Sequence, residues 1–214
     1  MTEATAHAPT TDAATRRVGF FGGSFNPIHN GHIALARSLM DAAGLDEVWF
    51  VVSPQNPFKQ RGGLLDDAAR MAMVRAALAG EPRLRPCDVE LSLPLPSYTW
   101  RTLCRLRHDH PHCEFTLLIG GDNWARFGQW YHSADILASC PIMIYPRGKD
   151  GGESPVDPAT LPPGVTLADT PLLDVSSTEV RRRLGRGEPV SGLVPPAVEA
   201  MIAERGWYTG SEAG

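Results

Sequence analysis

Two short stretches concentrate residue types that could do chemistry. Gly22-Gly23-Ser24-Phe25-Asn26-Pro27-Ile28-His29-Asn30-Gly31-His32 follows an apolar run, and Val175-Ser176-Ser177-Thr178-Glu179-Val180-Arg181 opens a helical pattern. In the first, the glycines let backbone amides approach phosphate oxygens closely. His29 and His32, three apart at a helix start, fall on nearly one face with Cβ atoms about 5–6 Å apart, so both can reach one phosphoryl group. Neither GxxxxGK[ST] nor GxGxxG can be drawn through the stretch. A two-histidine metal site, which lacks a third ligand, and a pair of capping histidines are the competing readings. In the second stretch Ser176 and Glu179 read as a capping box. The same helix N-terminus is an anion site with Arg181 one turn inside it. Arg181, Arg182 and Arg183 step by about 100° each around a helix, so they cannot all face one ligand.

A third region, Ile119-Gly120-Gly121-Asp122-Asn123-Trp124, ends an apolar run in glycines and a carboxylate. Asp122 there suits either a ribose hydroxyl or a helix cap. Phe127-Gly128-Gln129-Trp130-Tyr131 offers faces for a flat ring, although aromatic residues are more often core. His108-Asp109-His110-Pro111-His112-Cys113 crowds imidazoles and a thiol, but Pro111 breaks it and no second ligand pair has zinc spacing, so it reads as a polar turn after a helix. Cys87, Cys104, Cys113 and Cys140 form no CxxC pair and read as reduced, mostly buried thiols.

These residues need elements to position them. Val18–Phe21, Val48–Val52, Leu84–Val89, Phe115–Ile119, Ile142–Tyr145 and Val165–Ala168 read as strands. Helical patterns fall near Asn30–Ala43, Leu65–Ala79, Thr99–Arg107, Ala134–Ser139, Ser177–Leu184 and Ala197–Arg205. Alternation with continuously apolar strands predicts an α/β, Rossmann-like, doubly wound parallel sheet with helices on both faces and a C-terminal helical extension. In such a sheet ligands bind outside the carboxyl ends of the strands, where the glycine turns fall.

The chain has 214 residues, 43% apolar and 21% charged, enough to bury a real core. We expect a tail over 1–17, one domain over 18–208 with an exposed loop at 146–164, and a flexible end at 209–214. Deleting residues 1–15 is expected to leave activity intact. The net charge of −4 weighs against nucleic acid or an anionic membrane as partner, so an anionic ligand must be held by local groups. Every basic side chain except Lys59 and Lys149 is arginine, which marks the positions of those two compact ammonium groups. No apolar run approaches the ~20 residues of a membrane span, and a cytoplasmic protein is expected.

GGSFNPIHNGH together with VSSTEVR resembles the paired signatures of the HxGH nucleotidyltransferases. Pro96-Ser97-Tyr98-Thr99, IGGDNW at 119–124 and FGQWY at 127–131 narrow the resemblance to bacterial nicotinate-nucleotide adenylyltransferases, in order across nearly all of 18–208. It implies transfer of the adenylyl group of ATP to nicotinate mononucleotide, giving nicotinate adenine dinucleotide and pyrophosphate, a late step of NAD synthesis. It further implies His29, His32, Lys59 and Arg181 as catalytic. Gly22, Gly23, Ser24, Phe25, Asp122, Ser177, Thr178 and Arg181 would bind ATP, and Tyr98, Thr99, Trp100, Trp130 and Tyr131 the acceptor, with Trp130 stacked on its ring. Mg²⁺ would accompany ATP, with no protein metal ligand. The family's Pro-Pro-His-Lys loop appears here as Asn56-Pro57-Phe58-Lys59, so a histidine is missing at Phe58. A nicotinamide mononucleotide enzyme and a non-catalytic nucleotide-binding module are the alternatives. Self-association is compatible with the sequence.

Overall fold

A computed structural model describes residues 15–54, 64–146, 156–170 and 175–210. The elements run β1 Arg16–Gly23, α1 Asn30–Ala42, β2 Glu47–Val52, α2 Asp67–Leu78, β3 Leu84–Cys87, α3 Thr99–Asp109, β4 Cys113–Gly120, α4 Gly121–Trp124, α5 Ser133–Ser139, β5 Ile142–Tyr145, β6 Val165–Leu167, α6 Ser177–Gly185 and α7 Pro196–Arg205. Short 3₁₀ turns occupy Val89–Ser92, Phe127–Gln129 and Pro158–Thr160.

The strands make one sheet of order β3-β2-β1-β4-β5-β6 with every neighbouring pair parallel. The chain winds outward from β1 through β2 and β3, then returns to place β4 on β1's other side. That reversal opens a crevice above the carboxyl ends of β1 and β4, where the loops after Gly23 and Gly120 begin.

Successive strand residues point to opposite faces, and each face is covered. Phe21, Val48, Phe50 and Leu118 pack with Leu39 of α1, Met73 of α2, Val180 of α6 and Ile202 of α7. Phe20, Trp49, Val51 and Leu117 pack with Leu103 and Leu106 of α3 and Ile136 of α5. Burial on both faces is why the strands are apolar without alternation. Gly19 lets β1 sit this close to its neighbours: a Cβ there would lie 2.8 Å from Leu118 and 2.9 Å from Leu45.

Three expectations need correction. The strand expected at Leu84–Val89 stops at Cys87, because Val89–Ser92 turns into 3₁₀. The loop at 146–164 is not wholly exposed: in its described part Val156 and Leu161 pack against the α3–α5 face. Cys104 is exposed, whereas Cys140 is buried and Cys87 and Cys113 are half-buried, all four as free thiols. Segment 108–113 is the end of α3 and its turn into β4, with the His110 ring 4.8 Å edge-on from Trp49. Among the described residues no helix is long and apolar enough to cross a membrane, and no three His, Cys, Asp or Glu side chains gather to hold a metal.

Candidate active site

The crevice at the sheet's switch point is a cleft of about 350 Å³. Of the expected site residues, Gly22, Gly23, Ser24, Phe25, His32, Tyr98, Thr99, Asp122, Trp130, Tyr131, Ser177, Thr178 and Arg181 line it. His29 and Trp100 do not, and Lys59 lies outside the described residues.

His29 is the N-cap of α1, in extended conformation and only 5% exposed. Its Nδ1 accepts from His32 N–H at 3.3 Å, and His32 Nδ1 accepts from His29 N–H at 3.2 Å. The expected phosphoryl pair and the competing capping pair are thus the same two rings. With both Nδ1 atoms acting as acceptors, each neutral imidazole carries its proton on Nε2, the tautomer that can donate to a phosphate. Gly31 is needed between them, since a Cβ there would stand 3.0 Å from His29 Nδ1.

The preceding loop is held from several sides. Phe25 adopts φ 44°, in the left-handed region, with its ring buried against Phe50 and His32. Such a conformation persists only where packing overrides its cost, as at ligand sites. Arg70 of α2, fully buried, donates to the carbonyls of Ser24 at 2.5 Å, Ser53 at 2.9 Å and Leu65 at 3.1 Å. Asp67 Oδ1, 2.5 Å from Arg70, balances its charge. Asn26 Oδ1 accepts from Leu65 N–H and, at 2.8 Å, from the Tyr208 hydroxyl, whose burial pushes its pKa up.

The second stretch docks onto the first. Arg181 donates to the Asn26 carbonyl at 2.7 Å, and Ser177 Oγ donates to the Pro27 carbonyl at 2.9 Å. Of the expected capping box only one half forms: Ser176 Oγ accepts from Glu179 N–H. The Glu179 carboxylate turns instead to Arg182 and Arg183, which hold its pKa down at about 2. Two of the three arginines are thereby committed away from the cleft, and Arg181 alone faces it.

At the other end, Asp122 makes no cap hydrogen bond to α4 and stands exposed on the cleft wall. The first turn of α3 has no side-chain cap either, so its amides from Thr99 onward are left without a capping side chain. The Trp100 side chain points elsewhere, stacked on His132 at 5.7 Å. Tyr98 and Tyr131 lean on each other at 4.7 Å, with the Arg101 guanidinium over both rings.

Sequence reasoning missed Glu90, Ser97 and Arg70. Glu90 is 3% exposed, lines the cleft and meets Thr102 Oγ1 at 2.9 Å. Burial raises its pKa, against the pull of the Ser53, Thr102 and Ser97 hydroxyls. Only the position of Ser97 beside Tyr98-Thr99 could have signalled any of this.

Residues 20–183 match the cytidylyltransferase-like family. A probable nicotinate-nucleotide adenylyltransferase of Bacteroides fragilis is 46% identical over 192 residues, 90% of this chain and 94% of that protein. One from Shouchella clausii is 37% identical over 90% of this chain and 97% of its own. The fold is that of Plasmodium falciparum nicotinic acid mononucleotide adenylyltransferase complexed with NaAD, at TM-score 0.73 and 19% identity, covering 90% of this chain and 97% of that one. With its two signature stretches docked in one cleft and this degree of likeness, the chain belongs to the cytidylyltransferase-like family and, within it, to the nicotinate-nucleotide adenylyltransferases.

Proposed function

We propose that this chain transfers the adenylyl group of ATP to nicotinate mononucleotide, releasing pyrophosphate and forming nicotinate adenine dinucleotide for NAD synthesis. The observation that carries the reading is the docking of the α6 N-terminus onto the Ser24–His32 loop through Arg181 and Ser177. It gathers two phosphate-binding helix starts, α1 and α6, over one point of the cleft.

The acceptor's phosphate has a second pKa near ~6 and is largely ionised at neutral pH, so the reaction needs no general base. What the chain contributes is alignment and neutralisation of charge. His32 directs an imidazole N–H to the α-phosphate, and His29, stacked beneath it, is the second imidazole of the pair. Arg181, with Ser177 and Thr178 at the α6 start, holds the β and γ phosphates. Ser24 and the amides after Gly22 line the same path, and Lys59 adds the family's phosphate-binding ammonium. Asp122 takes the adenosine ribose.

Trp130 stacks on the nicotinate ring, and the first-turn amides of α3, at Tyr98 and Thr99 with Tyr131 opposite, receive its carboxylate. Donor amides select the acid, because a carboxamide NH₂ would leave them unpaired. Mg²⁺ would accompany ATP: the phosphate end of the cleft presents neutral and cationic donors, so phosphate oxygens and water would hold the ion, which would supply neutralisation of charge on the leaving pyrophosphate. The reaction is assigned to the cytoplasm. Measuring pyrophosphate release with nicotinate and nicotinamide mononucleotides side by side tests the reading. Faster turnover of the acid supports it, and exclusive use of the amide overturns it.

A further inference from the structure

Among the described residues three buried side-chain polar atoms complete no hydrogen bond: Glu90 Oε2, Ser97 Oγ and Trp130 Nε1. All three residues line the acceptor end of the cleft. Native structures pair nearly all such atoms; the Ser97 hydroxyl lies near enough to Glu90 to act on its charge without completing a hydrogen bond, so the three together leave an opening that a ligand can complete. The set is mixed, since the indole N–H only donates, a hydroxyl does either, and a carboxyl oxygen accepts.

The other oxygen of Glu90 shows how the group is used. Glu90 Oε1 lies 2.9 Å from Thr102 Oγ1, which lies 3.2 Å from the Tyr98 carbonyl. The threonine hydroxyl donates to Glu90 Oε1 and also lies within reach of the carbonyl four residues back, that of Tyr98. Glu90 is thereby tied through Thr102 to Tyr98, the N-cap residue of α3. Glu90 Oε2 is left as an acceptor toward the cleft.

We propose that Glu90 is a positioning residue for the acceptor mononucleotide: through Thr102 it fixes the α3 start that faces the ring carboxylate, and with Ser97 and Trp130 it presents a mixed donor–acceptor pocket to a hydroxyl of the same substrate. This rests on the adenylyltransferase reading above. It concerns ground-state binding of one substrate, so it separates the Michaelis constants of the two.

Steady-state kinetics of Glu90→Ala, Glu90→Gln and Thr102→Val with nicotinate mononucleotide and ATP test it, with melting temperatures taken in parallel. Glu90→Ala and Thr102→Val should each raise KM for the mononucleotide about tenfold or more, with KM for ATP within about twofold. Glu90→Gln should recover most of the loss, since its amide oxygen can accept from Thr102 as Glu90 Oε1 does. Thr102→Val keeps the side-chain shape and supplies the measurement if Glu90→Ala does not fold. Equal rises in both Michaelis constants, unchanged constants, or a Gln variant as impaired as Ala would overturn the inference. A wild-type chain that released no pyrophosphate with either mononucleotide would bring down the underlying reading and this inference with it. Active wild type with unaffected variants would bring down the inference alone.

Discussion

The imidazoles of His29 and His32 stack with centroids 3.6 Å apart and planes 24° from parallel, each accepting the other's backbone N–H. One arrangement therefore caps α1 and sets the tautomer of both rings. His32→Ala should lower kcat by about 10²–10³-fold, the scale of removing one transition-state donor. It should also destabilise the fold by about 1 kcal/mol through the lost hydrogen bond from His29 N–H to the His32 ring. Pyrophosphate-release kinetics and thermal melts separate the two effects, and near-normal turnover in a folded variant would contradict the mechanism.

Trp130 packs 5.5 Å from Phe127 and lines the cleft. Trp130→Ala should raise KM for nicotinate mononucleotide far more than KM for ATP. A parallel rise in both would mean that the indole shapes the whole cleft and does not stack on the acceptor ring.

The three arginines of α6 should differ sharply. Arg181→Ala removes a charge-assisted contact to the triphosphate and should cut kcat/KM for ATP by about 10- to 100-fold. Arg182→Ala touches only the Glu179 and Glu188 pairs on the outer face and should change it by less than about threefold. Similar losses in both would place the triphosphate elsewhere.

Thiol labelling should rank the cysteines. Cys104 is exposed, while burial and the neighbouring Asp88 and Glu90 carboxylates hold Cys87 up at about 11, and burial also raises Cys113 and Cys140. Brief iodoacetamide treatment at pH 7.5 should modify Cys104 first, as read by peptide mass spectrometry. Preferential modification of Cys87 would contradict its placement.

Glu90 should make stability depend on pH in one direction. Its folded pKa lies above its unfolded one, so the folded chain holds the proton more tightly, and stability falls as pH rises above the unfolded value of ~4.3. Glu90→Gln abolishes that dependence. Its melting temperature relative to wild type should be higher at pH 8 than at pH 4, and a constant difference would show that Glu90 does not titrate across folding.

Much of this was legible because strand burial and helix period leave plain traces: Glu47–Val52 is buried at every residue, and Asn30–Ala42 starts within one residue of its histidine cap. What escaped has equally physical reasons. The four residues of α4 are too few to show a period. Arg70 reads as a polar helix residue until three loop carbonyls converge on it, contacts up to 46 positions apart that no local pattern encodes. Glu90 sits in a four-residue 3₁₀ turn whose only cue is composition. Trp100 was grouped with Tyr98 and Thr99 by resemblance, as part of a run of backbone amides, and no local pattern shows that its side chain stacks on His132 outside the cleft.

The β1–β4 seam divides the cleft's walls between two halves of the sheet, the Ser24–His32 loop rising from one, with α6 docked on it, and Asp122 and Trp130 from the other. A nucleotide bridging both is a non-covalent staple across the centre of the molecule. At a hundred times its dissociation constant such a ligand adds about 2.7 kcal/mol to the free energy of unfolding. Protease resistance, and with it the lifetime of each copy, thereby follows the supply of the nucleotides it consumes.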